Sequence, residues 1–112
     1  MFTDAETTLS EIRDSAGSDP QLEVLLREML DAAVHYAHLR ARWRLAGAEN
    51  RRDMDRERTI AHEAFIDSLN ILSRNVAARE RDNRWRRTIG DERKLIGDFA
   101  CAWAALLGIE GR

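Results

Sequence analysis

Carboxylates and imidazoles one helical turn apart can hold a divalent metal, and this 112-residue chain offers one such run. Asp31, His35 and His38 are spaced by four and three residues, with Glu28 one turn earlier. On a helix that spacing sets them along one side. A metal held there would make the chain a metal-dependent hydrolase acting on a phosphorylated small molecule such as a nucleotide. The same residues also form the polar stripe opposite an apolar face. The Glu-x-x-His spacing of di-iron helices is absent, because Ala32, His35 and Thr59 stand three residues before His35, His38 and His62. The stripe is the preferred reading. The four side chains should face solvent and bind no metal tightly, and no cofactor is expected.

Two acidic pairs lie early in the chain, Glu11-x-x-Asp14 and Glu28-x-x-Asp31. They resemble the acidic pairs that small all-helical nucleotide pyrophosphohydrolases arrange around Mg²⁺, where the ion bridges carboxylates to phosphates. That family's pattern is Glu-x-x-Glu followed much later by Glu-x-x-Asp. Here both pairs sit in the first third and the first ends in Asp. Acids near helix starts are also favoured by the macrodipole alone.

His62 lies on the flank of an apolar face, one turn after Arg58, and Asp98 is the one charge beyond Lys94 in the last predicted helix. Both need partners if buried. A His62–Asp98 pair, or an Arg–Asp98 pair, would satisfy them in a polar pocket between the third and fourth predicted helices, and an interhelical tie that fixes register is the preferred role. Farther on, Arg79, Arg81, Arg84, Arg86 and Arg87 surround Trp85. Basic residues around an aromatic can clamp a nucleic-acid backbone and stack a base. Glu80, Asp82, Asp91 and Glu92 dilute the patch, which argues for a solvated loop or a contact with an acidic protein surface instead.

The elements that position these residues are helices. Thr3 and Glu6 have capping-box spacing, and a short helix with few large apolar residues (Phe2, Leu9 and Ile12) runs to about Ser15, with Gly17 as its C-terminal cap. Asp19-Pro20 restarts a helix. From Pro20 to about Ala46, Leu22, Leu25, Leu26, Met29, Ala32, Ala33, Tyr36, Ala37 and Trp43 share one side, over about 40 Å at 1.5 Å per residue. Gly47 ends it. A third helix runs from about Asn50 to Ala78 with Ala61, Phe65, Leu69, Leu72 and Val76 on its face and His62 and Ile66 beside them. Residues 79–90 read as a frayed end and a loop anchored by Trp85 and Ile89. Asp91 can cap a fourth helix reaching about Leu107, whose broad face is Leu95, Ile96, Phe99, Ala102, Trp103, Leu106 and Leu107.

Composition agrees. Hydrophobic residues make up 44% and charged residues 34%, and sixteen Ala outnumber three Val, seven Ile and five Thr. This excludes an all-β fold. Cys101, the sole cysteine, excludes an intrachain disulfide and a cysteine zinc cage. No basic start leads into a long apolar run, and Phe99–Leu107 is too short to span a bilayer. The expected setting is the cytoplasm, without membrane contact. Net charge is −2, which does not drive the chain onto nucleic acid. Its distribution is uneven: residues 1–31 hold eight acids and two Arg (−6), and residues 32–87 hold thirteen Arg and eight acids (+5).

Two stretches, Arg58–Arg74 and Gly90–Ala100, resemble a family of small all-helical bacterial proteins known as a domain of unknown function. The resemblance covers about half the chain. It implies an all-α fold and supplies no activity. It places His62, Asp67, Arg74, Asp91 and Asp98 in the most motif-like segments, so Arg58, Asp67 and Arg74 join His62 and Asp98 as candidate pocket residues. The Arg-rich helical pair also resembles small helical chorismate mutases. Those surround a dicarboxylate with cations that normally include lysine, and the only lysine here is Lys94.

The expected fold is all-α, one domain over residues 1–112, a compact bundle of four helices (about 4–15, 20–46, 50–78 and 91–107) on a long antiparallel hairpin. The expected function is a non-enzymatic protein-binding or regulatory module. Gly97, Cys101, Ala104 and Ala105 form a small-residue face on the last helix. Only the short first helix is free to cover that face internally, so a homodimer is expected across it.

Overall fold

Asp19 turns its carboxylate back onto the chain: Oδ1 accepts from the backbone N–H of Gln21 at 2.9 Å and of Leu22 at 3.1 Å. That satisfies two donors a helix start leaves open, and Pro20 takes the first helical position, where no N–H is needed. The helix so begun is the second of five in the computed structural model, which describes residues 3–109: α1 (Thr3–Ala16), α2 (Pro20–Leu45), α3 (Ala48–Ala78), α4 (Arg84–Ile89) and α5 (Arg93–Ile109). No strand occurs among the described residues, and the fold is all-α.

α2 buries Leu22, Met29, Ala33, Tyr36 and Leu39, and α3 buries Ala61, Phe65, Leu69, Leu72 and Val76, the stripes that the 3.6-residue period marks. The two helices pack side by side. Asp19 meets Arg79, Tyr36 meets His62, and Trp43 meets Arg51 and Arg58, so the pairing proceeds in opposite sequence order along them. Ile96, Ala100 and Trp103 of α5 and Leu9 and Ile12 of α1 complete one continuous core. The molecule measures 48 × 26 × 23 Å.

α1 is held from the other end of the sequence. Trp103 Nε1 donates to the carbonyl of Ala5 at 3.0 Å, and Trp85 Nε1 donates to Ser15 Oγ at 3.1 Å. Arg81 Nη1 donates to the carbonyls of Ser15 and Ala16, at 3.1 and 2.8 Å. These are last-turn acceptors that the helix itself leaves open. Gly17 follows with φ +57°, a left-handed cap that suits glycine.

Several expectations are corrected. Among the described residues there are five helices, not four. The segment read as a loop forms α4, because Asp82 Oδ1 accepts from the Arg84 N–H at 2.9 Å and Trp85 and Ile89, one turn apart, are both buried. Gly47 sits at the start of α3, which begins at Ala48. Asp91 does not cap α5. Its carboxylate takes Arg86 Nη2 at 3.0 Å, and α5 starts two residues later. Leu95 is exposed rather than on the core face, where Ile96 and Ala100 stand. Phe2, counted among the apolar residues of the first helix, and the Thr3 side chain, read as its N-terminal cap, lie outside the described residues.

Candidate functional site

Two of the buried polar side chains, His62 and Arg40, lie where α2, α3 and α5 meet. His62 points inward from α3 with 2% of its surface exposed. Its Nε2 lies 3.3 Å from the carbonyl oxygen of Arg93, at the start of α5. Its ring stands edge-on to Tyr36 of α2, with centroids 5.0 Å apart and planes at 73°. Burial pushes the imidazole pKa below its usual value, and the charges of Arg93, Arg58 and Arg40 push the same way. The Arg93 carbonyl opposes them.

Arg40, one turn past Tyr36, is the second buried polar group at this crossing. Nη2 pairs with Asp98 Oδ1 at 3.1 Å, and Nη1 lies 3.7 Å from Cys101 Sγ. Its side chain is 11% exposed, against 50% for Asp98. Burial works against the guanidinium charge. The Cys101 and Tyr36 side chains and the hydrogen bond to Asp98 outweigh it and raise the pKa. Asp98 is therefore satisfied by an arginine of α2 and faces water with its other side.

Gly97 makes this crossing possible. A β-carbon there would stand 2.8 Å from Arg40 Nη1 and 3.1 Å from the Tyr36 hydroxyl oxygen. Gly97 is buried by α2 of its own chain, which corrects the expectation that only α1 could cover the small face of α5. Cys101 is half-buried under Arg40. Ala104 and Ala105 remain more open. With Gly108 and Leu107 of α5, and Val34, Ala37, His38 and Ala41 of α2, they line an apolar groove of 450 Å³. It abuts a hollow of 280 Å³ bordered by Ala37, Ala41, Leu45 and Cys101. Leu45, at the end of α2, is 89% exposed.

Of the remaining pocket candidates, Arg58 lies near enough for its charge to act on His62, but its pairings are with other residues. Arg58 Nη2 pairs with Asp55 at 2.7 Å, and its guanidinium lies 4.4 Å from the Trp43 ring centroid, with Arg51 at 4.7 Å from the same ring. Asp67 and Arg74 are exposed, Arg74 about 18 Å along α3 from His62 at 1.5 Å per residue.

Glu28, Asp31, His35 and His38 are exposed on α2. Among the described residues no group of three His, Cys, Asp or Glu is placed to hold a metal. Glu11 and Asp14 border a separate open groove of 950 Å³ between the end of α1 and α4, where Asp82, Arg81 and Arg84 also lie.

The basic segment is largely engaged within the fold. Arg79 holds Asp19, Arg81 caps α1, and Arg86 binds Asn70 Oδ1, the Gly90 carbonyl and Asp91. Arg84 chelates its neighbour Asp82, and Arg87 is exposed. Trp85, the aromatic that would stack a base, is buried.

Chemically, the cluster suits a tie better than a catalyst. His62 is out of a solute's reach, and the thiol of Cys101 is held by Arg40 rather than by an imidazole. The signal for Arg40 was in the spacing: it falls four residues after Tyr36 and seven after Ala33, on the apolar stripe itself. No helix among the described residues is long and apolar enough to cross a membrane. No family model, curated protein or solved structure matches the chain.

Proposed function

We propose that the chain is a non-enzymatic protein-binding or regulatory module of the cytoplasm that self-associates as a homodimer through the α2–α5 face, on a bundle framed by α2 and α3 as an antiparallel hairpin. The observation that carries this reading is the apolar groove between α2 and α5, lined by Val34, Ala37, Ala41, Ala104 and Ala105 with Leu45 exposed at its end. Alanines let a second helix approach closely, and contiguous exposed apolar surface on a small domain marks an interaction site. The order of contacts between α2 and α3 supports the hairpin. The resemblance of Arg58–Arg74 and Gly90–Ala100 to a small helical bacterial family is compatible with this role and adds no activity. Nucleic acid is a poor fit, given a net charge of −2 and the internal engagement of Arg79, Arg81 and Arg86.

The test is mass by light scattering at tens of micromolar. A dimer is expected for the native chain and a monomer for Ala104→Arg, whose long charged side chain cannot enter a close helix contact. Ala105→Arg is the companion variant: Ala105 is exposed, so it leaves the fold intact while blocking the face. A native monomer, or dimers indifferent to both variants, overturns the reading.

A further inference from the structure

We infer that the depression between α3 and α4 is a binding site for a phosphate monoester group, with the carboxylate of Asp91 standing in its place in the free protein. The site shares no residue with the α2–α5 face and does not depend on self-association.

The depression has a volume of 360 Å³. α3 lends Asn70 and Ser73 to its lining, and α4 lends Arg84, Arg86 and Arg87. Asp91 is the one carboxylate among the lining residues. Several donors there are unspent among the described residues. Ser73 is 7% exposed, and its Oγ accepts from Asn83 Nδ2 at 3.0 Å, which leaves the hydroxyl proton to give. Asn70 Oδ1 accepts from Arg86 Nε at 2.8 Å, which leaves the Asn70 amide protons. Arg84 spends Nε and Nη2 on Asp82 and keeps Nη1, and Arg87 is exposed and makes no ion pair. A phosphate group carries a charge near −2 and three strongly accepting oxygens, which suits donors that come from several side chains. A planar carboxylate offers one edge, and Asp91 already supplies that.

Arg86 is the fixed cation of the site. Asn70 holds its Nε, the Gly90 carbonyl accepts from Nη1 at 2.7 Å, and Asp91 accepts from Nη2 at 3.0 Å. The first two partners orient the guanidinium, whose side chain is 15% exposed. Asp91, 94% exposed and joined by a single bond, is the replaceable partner. An incoming phosphate takes Nη2 from Asp91 and gains Arg87 as a second cation, while Asp91 turns to water. The site takes one such group rather than a nucleic-acid strand, because Trp85 is buried and offers no face for stacking.

Inorganic phosphate is the probe. Backbone amide shifts are followed by NMR as it is added at about pH 7.5, where the dianion predominates, with ionic strength held constant by sodium chloride. Saturable shifts are expected at residues 70–73 and 83–91. Arg87→Ala should weaken binding about tenfold, the loss of one charge-assisted contact. Asp91→Asn keeps an oxygen for Arg86 and removes the competing charge, so it should bind phosphate more tightly than the native chain. Arg52→Ala removes an exposed arginine near the other end of α3 and should change nothing. Helical content by circular dichroism should stay native in all three variants, and acetate should give no saturable response. Shifts that do not saturate, equal losses in Arg87→Ala and Arg52→Ala, acetate binding as well as phosphate, or no tightening in Asp91→Asn each overturn the site.

Discussion

Arg79 Nε and Asp19 Oδ2 meet at 2.7 Å although sixty residues separate them. Asp19 is the N-cap of α2 and Arg79 the residue that ends α3, so one ion pair fastens two helix termini. The same guanidinium donates to the Asn75 carbonyl and to the Gln21 side chain. The hydrogen bond from Leu22 N–H, with those from Arg79 and Gln21, holds the Asp19 carboxyl below its usual 3.8.

For Asp19→Ala the expected result is a less stable protein whose N-terminal turn of α2 exchanges amide hydrogens faster. Because the folded-state pKa is depressed, the contribution of Asp19 is complete well above pH 3.8 and is lost as pH falls through the folded value. The variant should therefore differ from the native chain in urea midpoint at pH 7 and converge with it in strong acid.

His62 gives a separate window. Its folded pKa lies below the usual 6.5, so between the two values the unfolded chain binds the extra proton. Stability should hold above about pH 7 and decline as pH falls through 6.5 toward the folded value. Urea midpoints at pH 8 and 5.5 measure this. His62→Gln should flatten that segment of the curve without touching the Asp19 limb.

Gly97→Ala should cost about 1–3 kcal/mol, the usual range for overpacking. The new β-carbon must displace Arg40 Nη1, loosening its hold on Asp98, and it also crowds Tyr36. Arg40→Ala relieves part of the clash, so in a double-mutant cycle the two changes should sum to less than their separate costs.

Ser15→Ala should cost about 1–3 kcal/mol, since it leaves the buried Trp85 indole N–H without its acceptor. A shift in tryptophan emission should accompany the drop in melting temperature, and Ser15→Thr should restore much of both.

Dialysis against Zn²⁺ or Mn²⁺ should leave no stoichiometric metal on the protein. A bound ion lost in His35→Ala would instead revive the hydrolase reading of Glu28, Asp31, His35 and His38.

The long helices were legible because their buried residues recur at helical spacing, as Phe65, Leu69, Leu72 and Val76 do on α3. Helix starts were legible where one residue type does one job, as with Asp19-Pro20. What the pattern hid was competition for polar groups. Asp91 looks like a cap until Arg86, which no periodicity places, claims its carboxylate. Asp98 was paired in expectation with His62 or an unnamed arginine. Its partner is Arg40, a charged residue on an apolar stripe whose burial depends on the glycine opposite. α4 was missed because six residues, four of them Arg or Thr, carry too little apolar signal to exceed a loop reading.

The way α1 is fastened sets an order of events during synthesis. Its last-turn carbonyls wait for Arg81, Ser15 waits for Trp85, and the Ala5 carbonyl waits for Trp103, ninety-eight residues downstream. Of the five helices, the one made earliest is thus the last to be locked. Until α5 is made, Leu9 and Ile12 have only part of their burial site, whereas the surfaces that α2 and α3 present to one another are already complete once α3 is made.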